Sequence, residues 1–264
     1  MTRNLLLILS TFAASTFGQT FHASFDGGTD ARIAKGDKHI YTAPNYKAQG
    51  EAKPGLLNPD IELAKGAGKK GDALRFKKKN EQAIFYKAEK NVAYREGNWT
   101  GTISYWLKLD PDKDLAPGFC DPIQVTDKAY NDSAIWNDFT KDEKPRHFRL
   151  GVFGSLKEWN PQDIAPDKNP KFNSRLVVVQ KPPFTSDKWV HIAVTHTALG
   201  SGKGRARLYL NGQSMGETPE ITEKFQWDMT KAAIRIGVGY VGLFDELSIF
   251  DRVLSDAAIA KLAK

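Results

Sequence analysis

Ile234-Arg235-Ile236-Gly237-Val238-Gly239-Tyr240-Val241-Gly242-Leu243-Phe244-Asp245-Glu246-Leu247-Ser248-Ile249-Phe250-Asp251-Arg252-Val253-Leu254-Ser255 reads as two strands closing a sheet, then the start of a helix. Ser255 can accept from the first-turn amides and Asp256 suits the positive helix end. Ile259 and Leu262, three apart, give that short helix one apolar stripe. Upstream, Ala206-Arg207-Leu208-Tyr209-Leu210-Asn211-Gly212 reads as a strand entering a two-residue hairpin, because both positions of an Asn-Gly turn take positive φ. Ala206, Leu208 and Leu210 then face the core, and Arg205, Arg207 and Tyr209 face out. In a straight strand Asp245 shares its face with Leu247 and Ile249.

Outward from this stretch the same short, alternating pattern recurs. Strands are predicted at 20–25, 73–76, 83–87, 101–109, 122–126, 135–139, 147–153, 175–180, 189–197, 205–210, 233–237 and 241–250. Most are rich in Val, Ile, Phe and Tyr and bounded by Gly, Pro, Asn or Asp. No long helical pattern lies between them. The predicted fold is all-β: a two-sheet antiparallel jelly-roll β-sandwich with a short C-terminal helix. Residues 27–72 read as long loops with short strands, and 154–174, with Pro161, Pro166 and Pro170, as another long loop. No repeat or linker divides residues 19–264, which read as one domain.

The pair of segments RLYLNG and G-FDEL-IFDRVLS resembles laminin G-like jelly-roll domains of the concanavalin A-like lectin/glucanase superfamily. Trp189-Val190-His191-Ile192-Ala193 resembles the W-x-H-x-A strand of such folds, where Trp and His are packing residues. The resemblance implies non-catalytic recognition of glycans or other surface molecules, often with structural Ca²⁺. The positions matching that cation site are Asp26 and Asp245, with backbone carbonyls completing an oxygen shell. The other reading is that Asp26 makes a turn and Asp245 pairs with a backbone amide.

The N-terminus reads as a cleaved signal peptide over 1–18. Arg3 precedes the apolar run Leu5-Leu6-Leu7-Ile8-Leu9, and small residues follow at Ser15, Thr16 and Gly18, with cleavage after Ser15 as the alternative. The chain is therefore expected to be exported, to the medium or a periplasm, with no membrane insertion. Cys120 is the single cysteine, so no intrachain disulfide holds the domain. The formal charge of +7 suits anionic polysaccharides or a cell envelope, although acidic residues are interspersed throughout. Nucleic acid is not an expected partner, since no recognition motif is present.

Several motifs fail on their context. Gly237-Val238-Gly239-Tyr240-Val241-Gly242 has the form G-x-G-x-x-G, but a strand follows it where a dinucleotide site needs a helix. Glucanases of the superfamily carry E-x-D-x-x-E on one strand. The segment Asp245 to Asp251 does not reproduce that face, so the chain is read as no enzyme. Asp110-Pro111-Asp112-Lys113-Asp114 opens like an EF-hand loop but has Leu115 where Gly is required.

Aromatic residues remain as sugar platforms. Trp136 with Asn137 and Asp138, and Trp159 with Asn160, place an indole beside hydrogen-bonding side chains. The alternative is a half-buried Trp beneath a loop. Arg146 and Arg149 flank His147 just before a strand and could contact an anionic sugar or form a solvated edge. The candidate ligand-binding residues are thus Trp136, Asp138, Arg146, Arg149 and Trp159. Carbohydrate recognition is the leading expectation. A protein-interaction or matrix role, and a hydrolase or lyase with an unrecognised site on the concave sheet, are the alternatives.

Overall fold

The structure, a computed structural model, describes residues 18–264; apart from Gly18, the expected leader lies outside the described residues. The first strands are β1 (Gln19–Ala23), β2 (Ile33–Ala34), β3 (Ile40–Ala43), β4 (Lys53–Pro54), β5 (Ile61–Ala64) and β6 (Ala73–Phe76). Next come β7 (Ala83–Lys87), β8 (Trp99–Lys108), β9 (Cys120–Thr126), β10 (Ala134–Phe139), β11 (Phe148–Phe153) and β12 (Val177–Val179). The last are β13 (Val190–Leu199), β14 (Arg205–Leu210), β15 (Gln213–Glu217), β16 (Ala233–Val238) and β17 (Gly242–Phe250). Four short helices, α1 (Pro111–Asp114), α2 (Leu156–Trp159), α3 (Pro170–Asn173) and α4 (Asp256–Leu262), sit in the connections and at the end.

All ladders are antiparallel and fall into two sheets. Sheet 1 runs β15-β14-β13-β8-β17-β1-β2, with β6 on the leading half of β17 and β5 beyond it. Sheet 2 runs β12-β11-β10-β9-β16-β7-β3-β4. Alternate residues close the space between them. Phe21, Ile103, Tyr105 and Leu107 come from sheet 1, and Ile123, Val125, Ile135, Leu150, Ile234 and Ile236 from sheet 2. Burying each such side chain contributes about 1.5–3 kcal/mol. With Cys120 a buried free thiol, this core is what holds the sandwich.

Trp99 anchors one end of the core. Its Nε1 donates to the Val92 carbonyl at 2.9 Å, and its ring packs on His196 at 4.1 Å and Trp227 at 4.7 Å. Burial pulls the His196 pKa down to about 3. His191, five residues earlier on β13, faces the other way, as the alternation requires. There one ring nitrogen lies 2.8 Å from the Ser104 hydroxyl, and burial lowers its pKa to about 4.

The hairpin and the C-terminal cap form as the sequence reads. Asn211 and Gly212 have φ of 49° and 81°, and the Ser255 hydroxyl accepts from the Ala258 amide. The straight-strand reading of β17 does not hold. Its register on β8 shifts between Asp245 and Ser248, with Glu246 at φ 54°. This bulge turns Phe244, Leu247 and Ile249 all into the core, so Asp245 is parted from Leu247 and Ile249. Residues 27–72 supply strands to both sheets. Residues 154–174 fold over the outer face of sheet 2 on a small core of their own: Ala134, Trp136, Phe153, Trp159 and Phe172.

Candidate functional site: a cleft on the outer face of sheet 2

Cross-strand register lines up Arg235 on β16, Gln124 on β9, Trp136 on β10 and Gly151 on β11. Gly151 is needed there. A Cβ on it would lie 2.1 Å from the Trp136 ring, so only glycine lets the indole lie flat across β11. Trp136 Nε1 donates to the Tyr130 carbonyl at 2.7 Å. Phe172 of α3 stacks on Phe153 at 4.9 Å and lies 6.3 Å from Trp136. These rings form one wall of a cleft, and Phe119, Tyr130 and Pro166 form its lips. Phe119 is 49% and Tyr130 37% exposed, so each presents ring surface to an incoming ligand. Two adjoining hollows of about 220 and 340 Å³ share these residues.

The cleft floor is charged. Arg149 on β11 grips Asp138 on β10 through two hydrogen bonds, Nε to Oδ1 at 2.8 Å and Nη2 to Oδ2. Such forked pairing orients both groups. The guanidinium also lies 5.1 Å from the Phe119 ring, tying the exposed lip to the floor. A register shift in β9 opposite Asp138 brings Asp121 beside it. Burial, then the Asp138 charge, pushes the Asp121 carboxyl well above the carboxylate range, and Gln124 donates to its Oδ2 at 3.0 Å. Burial also raises Asp138, opposed by the Arg149 pair. The floor therefore sets a carboxyl that burial favours in its protonated form beside a second one held by its guanidinium.

Trp136, Asp138 and Arg149, expected from sequence, meet in this cleft. Trp136 is only 2% exposed, so it is a wall and not the open stacking platform expected. Arg146 does not reach the cleft. Its guanidinium is buried and donates to the carbonyls of Leu115, Ala116, Gly118 and Thr140, binding down the loop that presents Phe119. Trp159 is buried as well, with Nε1 donating to the Asn131 carbonyl at 2.9 Å, and it props Phe153 from behind. Sequence reading passed over Phe119, Tyr130, Phe172 and Asp121. Phe119 follows Pro117-Gly118 and Tyr130 sits in a polar loop, where an aromatic residue is itself a signal.

The two acids expected at a cation site come to one loop, residues 66–72 between β5 and β6. Gly68 packs against this acid and two carbonyls: a Cβ on it would lie 2.3 Å from the Lys70 oxygen, 2.4 Å from the Asp72 oxygen and 2.8 Å from Asp245 Oδ2, so the loop closes here only on glycine. Asp245 is fully buried and accepts from the amides of Lys69 at 2.7 Å and Glu246 at 2.8 Å. Burial, with the charge of Glu246, raises its carboxyl to about 7. The Asp245 carboxyl thus pairs with backbone amides, the second of the two readings the sequence offered for it. Asp26 does not join it: its Oδ1 accepts from the Asp72 amide at 3.0 Å and its Oδ2 faces Arg32, so it braces the loop. Among the described residues no three His, Cys, Asp or Glu side chains form a metal set.

A family model of the concanavalin A-like lectin/glucanases superfamily matches residues 89–260, and the chain belongs to that superfamily. No curated protein sequence matches the chain. Among solved structures it resembles domain 4 of AbnA, an extracellular arabinanase from Geobacillus stearothermophilus in complex with arabinotriose. That likeness has a TM-score of 0.56 at 16% identity, covering 93% of this chain and 98% of that one. It also resembles the botulinum neurotoxin serotype D ligand-binding domain in complex with N-acetylneuraminic acid (TM-score 0.52, 11% identity, 85% of this chain, 50% of that one). A third is Trypanosoma rangeli sialidase, at TM-score 0.50 and 11% identity, covering 94% of this chain and 33% of that one. At these identities the likeness establishes the fold alone.

Proposed function

We propose that this chain is an exported, non-catalytic carbohydrate-binding module that holds a saccharide in the Phe119–Tyr130 cleft, with Ca²⁺ as a structural ion. The observation that carries the reading is the cleft: exposed aromatic lips over a floor of oriented polar groups, which is how a site takes a sugar's apolar face and its hydroxyls together. Phe119 and Tyr130 stack on the ring, while Asp121 donates and Asp138 and Arg149 order the hydroxyls. A structural Ca²⁺ at the 66–72 loop would take Asp245 as its acid in exchange for the Lys69 and Glu246 amides, neutralise it and rigidify the loop. Domain 4 of the arabinanase, solved with arabinotriose, supports a saccharide as the ligand class.

The test is calorimetric titration of the folded protein with a broad polysaccharide panel, in calcium and again in chelator. Binding that Phe119→Ala and Tyr130→Ala each weaken several-fold supports the reading. Undiminished binding in both variants moves the site elsewhere. The Asp121–Asp138 carboxyl pair also favours a second reading, glycan hydrolysis. Against it, Asp138 is locked to Arg149, which removes the free base or nucleophile that two-carboxyl hydrolysis needs. Release of reducing ends from a bound polysaccharide, abolished by Asp121→Asn, would establish the hydrolase instead.

A further inference from the structure

Along the same row of sheet 2, beyond Gln124, lies a separate cavity of about 540 Å³. Tyr46, Lys47, Gln49, Asp127, Lys128, Lys231 and Arg235 line it. That volume falls within the ~300–1,000 Å³ usual for small-ligand sites. Its floor is Arg235, only 4% exposed. The guanidinium packs on the Tyr46 ring at 5.0 Å and donates through Nη1 to Gln124 Oε1 at 2.7 Å and the Lys128 carbonyl at 3.1 Å. Nε reaches Gln49 Oε1 at 3.4 Å. No carboxylate pairs with it among the described residues, and Nη2 makes no hydrogen bond among them. Arg149 and Arg175, by contrast, are closed by Asp138 and Glu223.

Asp127 and Asp121 act on Arg235 from a distance, but neither makes an ion pair with it. Lys128 lies 3.5 Å from Asp127 and 3.7 Å from Asp132, and Lys231 lies 3.0 Å from Asp228. Asp127 turns its Oδ2 to the Asp228 amide at 2.8 Å. Lys47 has no ion pair among the described residues. Two cations, Lys47 and Arg235, are thus left without an ion-paired carboxylate among the described residues. A buried, unpaired guanidinium is costly to hold, and an incoming oxyanion removes that cost. Gln124 joins this cavity to the aromatic cleft, donating to Asp121 and accepting from Arg235. From Arg235 on β16 to Gly151, in the same row on β11, is three strand spacings, roughly 14 Å, and Arg149 lies two residues further along β11.

We propose that the Arg235 cavity is an oxyanion subsite of the binding face and that the ligand is an acidic polysaccharide. A carboxylate or sulfate on one sugar is held by Arg235 and Lys47, with the paired Lys128 and Lys231 at the rim adding positive charge, while a nearby sugar ring lies against Phe119 and Tyr130. The inference rests on the module reading above, and the experiment separates the two.

Titrate the protein, at low and at physiological salt, with a polyuronate, a sulfated glycosaminoglycan and a neutral arabinan. The expected result is acidic binding about tenfold or more tighter than neutral, surviving physiological salt. Whichever acidic polymer binds identifies the oxyanion as carboxylate or sulfate. The triple variant Lys47→Gln, Lys128→Gln, Lys231→Gln should bring the acidic-to-neutral ratio close to one, and Arg235→Gln should do the same if it folds. The exposed lysines make the triple variant the decisive test should Arg235→Gln misfold. A control triple, Lys188→Gln, Lys203→Gln, Lys261→Gln, removes equal charge elsewhere. If it weakens acidic binding as much, the attraction is diffuse and the subsite is refuted. Equal binding of neutral and acidic polymers refutes the subsite and leaves the module standing. A folded protein that binds no polymer refutes both.

Discussion

Replacing His196 by Phe removes a titrating group from the end of the core that Trp99 anchors while keeping a ring against that indole. The His196 pKa stands at about 3 in the folded chain because burial disfavours its charged form. An unfolded histidine titrates near 6.5, so between about 6.5 and 3 the unfolded chain binds the extra proton. Stability from this group is thus fully present above pH 6.5 and is lost as the pH falls towards the folded value. At pH 5 the loss is about 1.5 pH units at ~1.36 kcal/mol each, or about 2 kcal/mol. Urea unfolding of the wild type and His196→Phe at pH 7.5 and pH 5 isolates the term, since the buried carboxyls titrate alike in both. The variant pays its packing cost at both pH values, but the wild type should lose about 2 kcal/mol more than the variant on acidification. Parallel losses would refute the argument that His196 is held neutral.

Gly151→Ala puts a methyl into the Trp136 ring. It should cost about 1–3 kcal/mol, alter the tryptophan near-ultraviolet dichroism and weaken saccharide binding while the strands persist. An unchanged spectrum would show that the ring does not lie where described. Arg146→Met leaves four carbonyls without their donor and should cost about 3–5 kcal/mol by thermal or urea unfolding. A loss below about 1 kcal/mol would contradict its anchoring role. Calcium at a hundredfold over its dissociation constant should stabilise the fold by about 2.7 kcal/mol. The gain should grow as the pH rises through 7, because below that the Asp245 proton must be displaced, and Asp245→Ala should abolish it.

How far the sequence could be read follows from what each residue answers to. Strand composition is a local property, so the bounds of Arg205–Leu210 and Ala83–Lys87 were legible to the residue, but Tyr209, expected to face out, is buried against Ala193 and Ile259 because α4 covers that face. The bulge at Glu246 was not, because it arises from pairing with β8, more than a hundred residues away. Within the cleft, Trp136, Asp138 and Arg149 could be picked out by residue type. Whether an indole is a platform or a wall depends on Gly151 and Phe172, which contact it only after folding. Arg146 and Arg149 are neighbours of the same chemistry, yet one meets carbonyls of a distant loop and the other a cross-strand carboxylate. Asp26 was placed at the right loop but on its amide side, a distinction that rests on peptide orientation and leaves no trace in composition.

The small aromatic core beneath residues 154–176 is separate from the one between the sheets. Trp159, Phe172 and the Arg175–Glu223 pair can lift off the strand residues Ala134, Trp136 and Phe153 without disturbing the main sandwich. The α2–α3 segment should therefore exchange its amide hydrogens at a lower free energy than β8 or β13. Ligand recognition then has its own melting point, below that of the fold. A mutation such as Phe172→Ala would silence the cleft in a protein whose global unfolding looks almost normal. Thermal screens alone would pass such a variant as intact.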